Sequence, residues 1–194
     1  MKIVFSLAAV GSFLTICPAL PAGAGASSHT TYLYFPVEGN SLPELHSDMV
    51  RNGPTANGVR GYGVTSVDPG KRLDISACKK SGSYHFDVEF LIHLPKATNA
   101  AASSLSPRDR GMWMRFTQLE KKHEEPHRSI WMVCAADCER RLQAGGAQDC
   151  TSGQTKVRAL WSQMIAECSP KQVAFDNAQR GIVGANPFIR QAAR

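Results

Sequence analysis

Past its first 26 residues the chain has no apolar run near the ~18 residues that cross a bilayer. That excludes a membrane-spanning body. The chain also lacks a basic tract interleaved with aromatics. Its net charge of +6 is scattered along the sequence, which argues against a nucleic-acid surface and suits solubility, with loose attraction to anionic envelope surfaces. No segment repeats, so solenoids and propellers are excluded. Cys134 and Cys138 have the spacing of half a structural zinc site, but no second close Cys or His pair completes one.

What is present begins with a leader. Lys2 gives a short basic start, Ile3–Leu20 is apolar, and Ala22-Gly23-Ala24 or Ala24-Gly25-Ala26 suits a signal peptidase. Cys17 is preceded by Ile16, too large for a lipid-attachment signal. These features predict a signal peptide over residues 1–26 and one domain over 27–194, periplasmic or secreted. Export permits disulfides. Cys78, Cys134, Cys138, Cys150 and Cys168 remain, and an odd number leaves at least one thiol free.

The front half reads as strands. Thr30–Val37 is β-branched and aromatic, Val59–Val67 and Arg72–Cys78 follow, and Tyr84–Leu94 alternates with Phe86, Val88, Phe90 and Ile92 on one face. Ser41–Arg51 is predicted helical, capped by Ser41 with Pro43 in the first turn. Lys96–Pro107 is a polar connection. The back half is helical: Met112–Leu142, divided at Pro126, then Thr155–Glu167, then a third helix from Ser169-Pro170 to Arg180. Asn186–Arg194 is a polar tail expected to fray. The predicted class is α+β: an antiparallel sheet of about four strands with an early helix, packed on a C-terminal helical hairpin.

The chemistry concentrates in His123-Glu124-Glu125-Pro126-His127, an H-E-x-x-H motif. Two His four apart share one helix face and reach a single tetrahedral Zn²⁺. Glu124 then stands where a general base would take a proton from zinc-bound water. The bland alternative is a solvated face, since Glu120, Lys121, Lys122 and Glu125 surround the pair. Pro126 lies between the ligands, removes a backbone donor and is expected to kink the helix. His85 and His93 read as ordinary strand histidines.

The order of pieces resembles a bacterial family of predicted secreted zinc-dependent proteases, catalogued as domain of unknown function 922. The matching pieces are Val37-Glu38-Gly39, Asn52-Gly53-Pro54, Val64-Thr65, Cys78, His93-Leu94-Pro95, Trp113, the H-E-x-x-H segment, Cys150 and Phe175-Asp176. The resemblance implies a single metallopeptidase-like domain with zinc as cofactor and a peptide or protein as substrate. It departs at Pro126, since active zinc proteases rarely accept proline between the two His. A catalytic zinc needs a third protein ligand. Asp176 is the candidate, where the resemblance also places an aspartate, with Glu167 and Glu139 as rivals. Glu139 lies about 18 Å along a continuous helix from His127. The family-like positions imply a Cys78–Cys150 bridge, with Cys168 pairing with Cys134 or Cys138. The stretch around Gly61, Tyr62 and Gly63 is open enough to be the edge that pairs with an extended substrate.

Two function classes follow. One is a zinc metallopeptidase with His123, His127 and Asp176 as ligands and Glu124 as base; a metalloamidase or peptidoglycan hydrolase is a variant of it. The other is a non-catalytic exported binding domain in which Pro126 has disabled the site. Convergence of the two ring nitrogens within about 4 Å favours the first.

Overall fold

A computed structural model describes residues 26–56, 58–67, 86–144 and 150–192. Strand β1, Ser27–Val37, leads into helix α1, Leu42–Asn52. Ser41 caps α1 by accepting from the Glu44 amide at 3.4 Å, and the Glu44 carboxylate accepts from the Asn40 amide at 2.7 Å. The pair resembles a capping box, except that Glu44 reaches back to the amide of Asn40, one residue before the cap. Two-residue strands β2, Thr55–Ala56, and β3, Val59–Arg60, pair with each other. Strands β4, Val64–Val67, and β5, Asp87–Ala97, follow.

Among the described residues the sheet has three strands in the order β1-β5-β4 and is mixed, which corrects the all-antiparallel pairing expected from the sequence. β1 runs parallel to β5, from Ser27 opposite Asp87 to Val37 opposite Ala97, while β4 is antiparallel to β5. Alternation identifies a strand but not the sense of its pairing. A parallel pair needs a long crossover, and α1 with the segment after it supplies one. The strand expected at Arg72–Cys78 lies outside the described residues. The one expected over Val59–Val67 is broken between β3 and β4. A side chain at Gly61 would come 2.5 Å from the Gly63 carbonyl oxygen, so the chain turns there too tightly to continue a ladder.

The remaining elements are helices α2, Asn99–Ser104; α3, Pro107–Ala144; α4, Cys150–Gly184; and α5, Pro187–Ala192. Thr98 caps α2 inside the stretch expected to be a plain connection. Neither long helix divides. α3 continues through Pro126, and α4 continues through Pro170 to Gly184. Each proline removes one rung, and side packing outweighs the loss. The Cys134–Cys168 disulfide, with Cα atoms 6.2 Å apart, ties α4 to α3 just before Pro170. Of the tail expected to fray, Pro187–Ala192 form α5. Phe188 of α5 is fully buried and stacks on Phe116 with ring centroids 4.5 Å apart.

The apolar residues form two clusters. One gathers Phe86, Val88 and Phe90 of the β5 side with Cys134, Cys138, Val157, Trp161 and Met164 of α3 and α4. The other gathers Val37, Leu45, Met49, Trp113, Phe116 and Phe188. Helix α3 runs through both, and its buried stripe between them is polar: Glu120, Glu124 and His127.

Candidate metal centre

That polar middle of α3 holds the site. His123 and His127 stand one helical turn apart, and their Nε2 atoms are 3.4 Å from each other. Asp176 reaches in from α4. Its Oδ1 lies 3.2 Å from His123 Nε2 and 2.9 Å from His127 Nε2. Among the described residues this is the group of His, Cys, Asp and Glu that could hold a metal ion. The histidine side chains are only 15% and 10% exposed, but Asp176 is 53% exposed, so the cluster opens to solvent on the α4 side.

Its surroundings fix the rings. Phe175 packs against both, with centroids 5.2 Å from His123 and 4.9 Å from His127. Gln172 Oε1 lies 2.6 Å from His127 Nδ1, and Gln172 Nε2 donates to the His127 carbonyl at 3.2 Å. The first contact sets the tautomer: Nδ1–H donates, so the Nε2 lone pair faces Asp176 and His123. Burial pushes the His123 pKa down, helped by His127 and opposed by Asp176.

Glu124 turns from the histidines toward β4. Thr65 Oγ1 lies 2.8 Å from Glu124 Oε2 and 3.1 Å from the Glu124 carbonyl oxygen, so one hydroxyl proton serves both. Burial pushes the Glu124 pKa up, and the Thr65 hydrogen bond pulls against it. Gly63 makes the space: a Cβ there would sit 2.9 Å from Glu124 Oε1.

Thus the structure brings His123, His127, Asp176 and Glu124 together. The rivals stay apart. Glu167 is paired with Arg141 at 2.6 Å, and Glu139 is buried toward the far end of α3. Tyr62 sits half-buried in the bend before β4. Its Oη is 2.8 Å from His46 Nε2 and its ring packs edge-on to Phe116. Among the described residues the edge strand beside Glu124 is β4 itself. Of the partners left open for Cys168, Cys134 forms the bridge, and Cys138 is a buried free thiol. Cys78 and the Cys150 side chain lie outside the described residues. In the sequence Gly63 stood in the candidate edge, Thr65 among the family-like pieces and Glu120 beside the motif, but nothing placed any of them against Glu124; Gln172, four residues before Asp176, was missed.

Fold and site together define an α+β protein with a His–His–Asp group set between two long helices. The chain belongs to a bacterial protein family of unknown function, DUF922, whose pattern matches residues 32–184. Comparison with curated proteins and with solved structures finds no match.

Proposed function

We propose that the chain is an exported zinc-dependent metallopeptidase. The observation that carries this reading is the triangle of ligand atoms, with sides of 2.9, 3.2 and 3.4 Å. Tetrahedral zinc with bonds of about 2.0–2.1 Å requires ligand atoms about 3.3 Å apart. Two imidazoles and one carboxylate with a solvent-facing side also suit a catalytic rather than a closed structural site. The apolar leader and the Cys134–Cys168 disulfide support export to an oxidising compartment.

Zinc, when bound, polarises a carbonyl and lowers the pKa of a water to about 7. The rest falls to this chain. Gln172 keeps His127 in the tautomer that coordinates through Nε2. Thr65 holds one oxygen of Glu124, leaving Oε1 to accept a proton. Glu124 takes the proton of the attacking water as the new C–O bond forms, and gives it to the amine as the C–N bond breaks. An extended peptide would pair along the β4 edge next to Glu124. Asp176 supplies negative charge that offsets the metal's.

Metal analysis and peptide cleavage test the reading together. Purified mature protein should contain about one zinc per chain, lost in His127→Ala. Glu124→Gln should retain zinc and lose cleavage of a mixed peptide library by at least about 10²-fold. Zinc at one per chain with no cleavage in the wild type would instead assign a metal-binding domain without catalysis, and no zinc would end the proposal.

A further inference from the structure

The inward stripe of α4 changes character halfway along the helix. Val157, Trp161, Met164 and Cys168 are buried, at spacings of three and four. From Pro170 to the end of α4 at Gly184 no residue is buried. Val173 and Ile182 in that stretch are 51% and 53% exposed, so apolar burial does not hold it down. The next buried side chain is Phe188 of α5. The stretch is fixed at both ends. Cys168 is bonded to Cys134 before it, and Phe188 is stacked on Phe116 after it. Just inside each anchor the helix is weak. Pro170 lacks the amide that would close a rung. Gly181 and Gly184 stand in the last turn, where a Cβ would meet nothing within 4 Å. Packing does not call for glycine there, and glycine lowers helix stability.

Between the two weak points, the contacts with α3 are those of the site. Lys171 reaches only as far as Cys134, beside the first anchor. Gln172, Phe175 and Asp176 all end on His123 and His127. A helical stretch without buried apolar side chains opens at lower cost than the core and independently of it. We propose that residues 170–184 form a hinged strap, tethered at Cys168 and Phe188, that lifts Gln172, Phe175 and Asp176 off the two histidines and lies back on them. Lifting uncovers the Nε2 atoms of His123 and His127, which the docked strap leaves little exposed. An ion enters there, and once Asp176 also holds it the ion joins α4 to α3 and locks the strap down. The locking rests on the metallopeptidase reading; the opening of the strap belongs to the metal-free chain.

Hydrogen exchange of the mature chain, read by mass spectrometry, tests this. With metal removed by a chelator, the amides of residues 171–184 should exchange about tenfold or more faster than those of residues 157–168. Asp176→Ala should speed the first set further and leave the second unchanged, since Asp176 is half exposed and belongs to neither apolar cluster. Should Asp176→Ala fail to fold, Gln172→Ala serves in its place with the same expected result. Added zinc should slow the first set by about tenfold or more in the wild type and not in the variant. Equal protection of the two sets in the metal-free wild type would show that α4 opens as one unit and would overturn the proposal. So would an unchanged first set in the variant, or zinc that binds by metal analysis without slowing that set. If the wild type binds no zinc, the function proposed above fails, and the metal-free comparison of wild type with variant still decides for or against the strap.

Discussion

At Gly63 the backbone runs directly against the side chain of Glu124. A Cβ added there would meet Glu124 Oε1 at 2.9 Å, Cγ at 3.2 Å and Cδ at 3.3 Å. The obstructed atoms are the far end of a flexible side chain, so the fold can absorb an alanine by moving the carboxylate. If Glu124 is the base, as proposed, displacing it is costly, since a misplacement of about 1 Å costs on the order of 10²-fold in rate. Gly63→Ala should therefore cut peptide turnover by about that factor while leaving zinc content and melting temperature nearly unchanged. Turnover measured beside metal analysis and thermal unfolding checks this; a parallel fall in melting temperature would mean the glycine serves the bend and not the base. His123, Glu124 and His127 were legible as local spacing. Gly63, Thr65 and Gln172 were not, because what brings each to the site is the packing of β4 and α4 on α3.

Among the elements, α3 shows why part of the site was misread. Its buried stripe runs Trp113, Phe116, Glu120, Glu124, His127, Cys134, Cys138 and Leu142, at spacings of three, four or seven. The stripe is continuous in space but not in chemistry. In sequence Glu120 carried only the alternative of a solvated face, since charge is the usual mark of exposure, while Glu124 and the histidines were singled out by their motif. Only the sheet and α4 reveal that they are covered. Pro126 was legible as a break in the ladder, yet the helix carries on. Thr65 binds the Glu124 carbonyl on one side of the proline, and Gln172 binds the His127 carbonyl on the other, at 3.1 and 3.2 Å. Tied on both sides, the two halves keep their ring nitrogens 3.4 Å apart. Pro126→Ala should stabilise the chain, by up to about 3 kcal/mol, and change zinc affinity by less than tenfold. Denaturant unfolding and zinc titration of the variant check it, and a tenfold or larger gain in affinity would show that the proline strains the site.

On the scale of the whole molecule, the last turn of the chain closes the second cluster. Phe188 is fully buried against Phe116 and Trp113, with centroids 4.5 and 5.4 Å away. A single aromatic in a polar tail gave too little periodicity to predict α5, and the pocket it fills exists only once α1, α3 and β1 have met. Phe188→Ala should cost about 3–5 kcal/mol, read from denaturant unfolding. The His123–His127–Asp176 triangle draws its atoms from the middle of α3 and from α4, so the zinc content that the proposed function expects should survive under conditions where the variant stays folded.

The parallel pairing of β1 with β5 also sets the order in which this chain can fold. Every one of its eleven partner pairs, from Ser27–Asp87 to Val37–Ala97, joins residues sixty apart. No hairpin can nucleate that pair, and the entropy of closing the intervening loop is lost before any rung forms. The helices α3 and α4 can form from local contacts on the microsecond scale; the sheet beneath them cannot. A chain with this topology should refold in milliseconds to seconds, with helical signal preceding the burial of Phe90. Stopped-flow circular dichroism against tryptophan fluorescence would resolve the two phases. Until the second strand arrives, β1 waits as an unpaired edge, and the helices that carry His123, His127 and Asp176 have nothing to lie on.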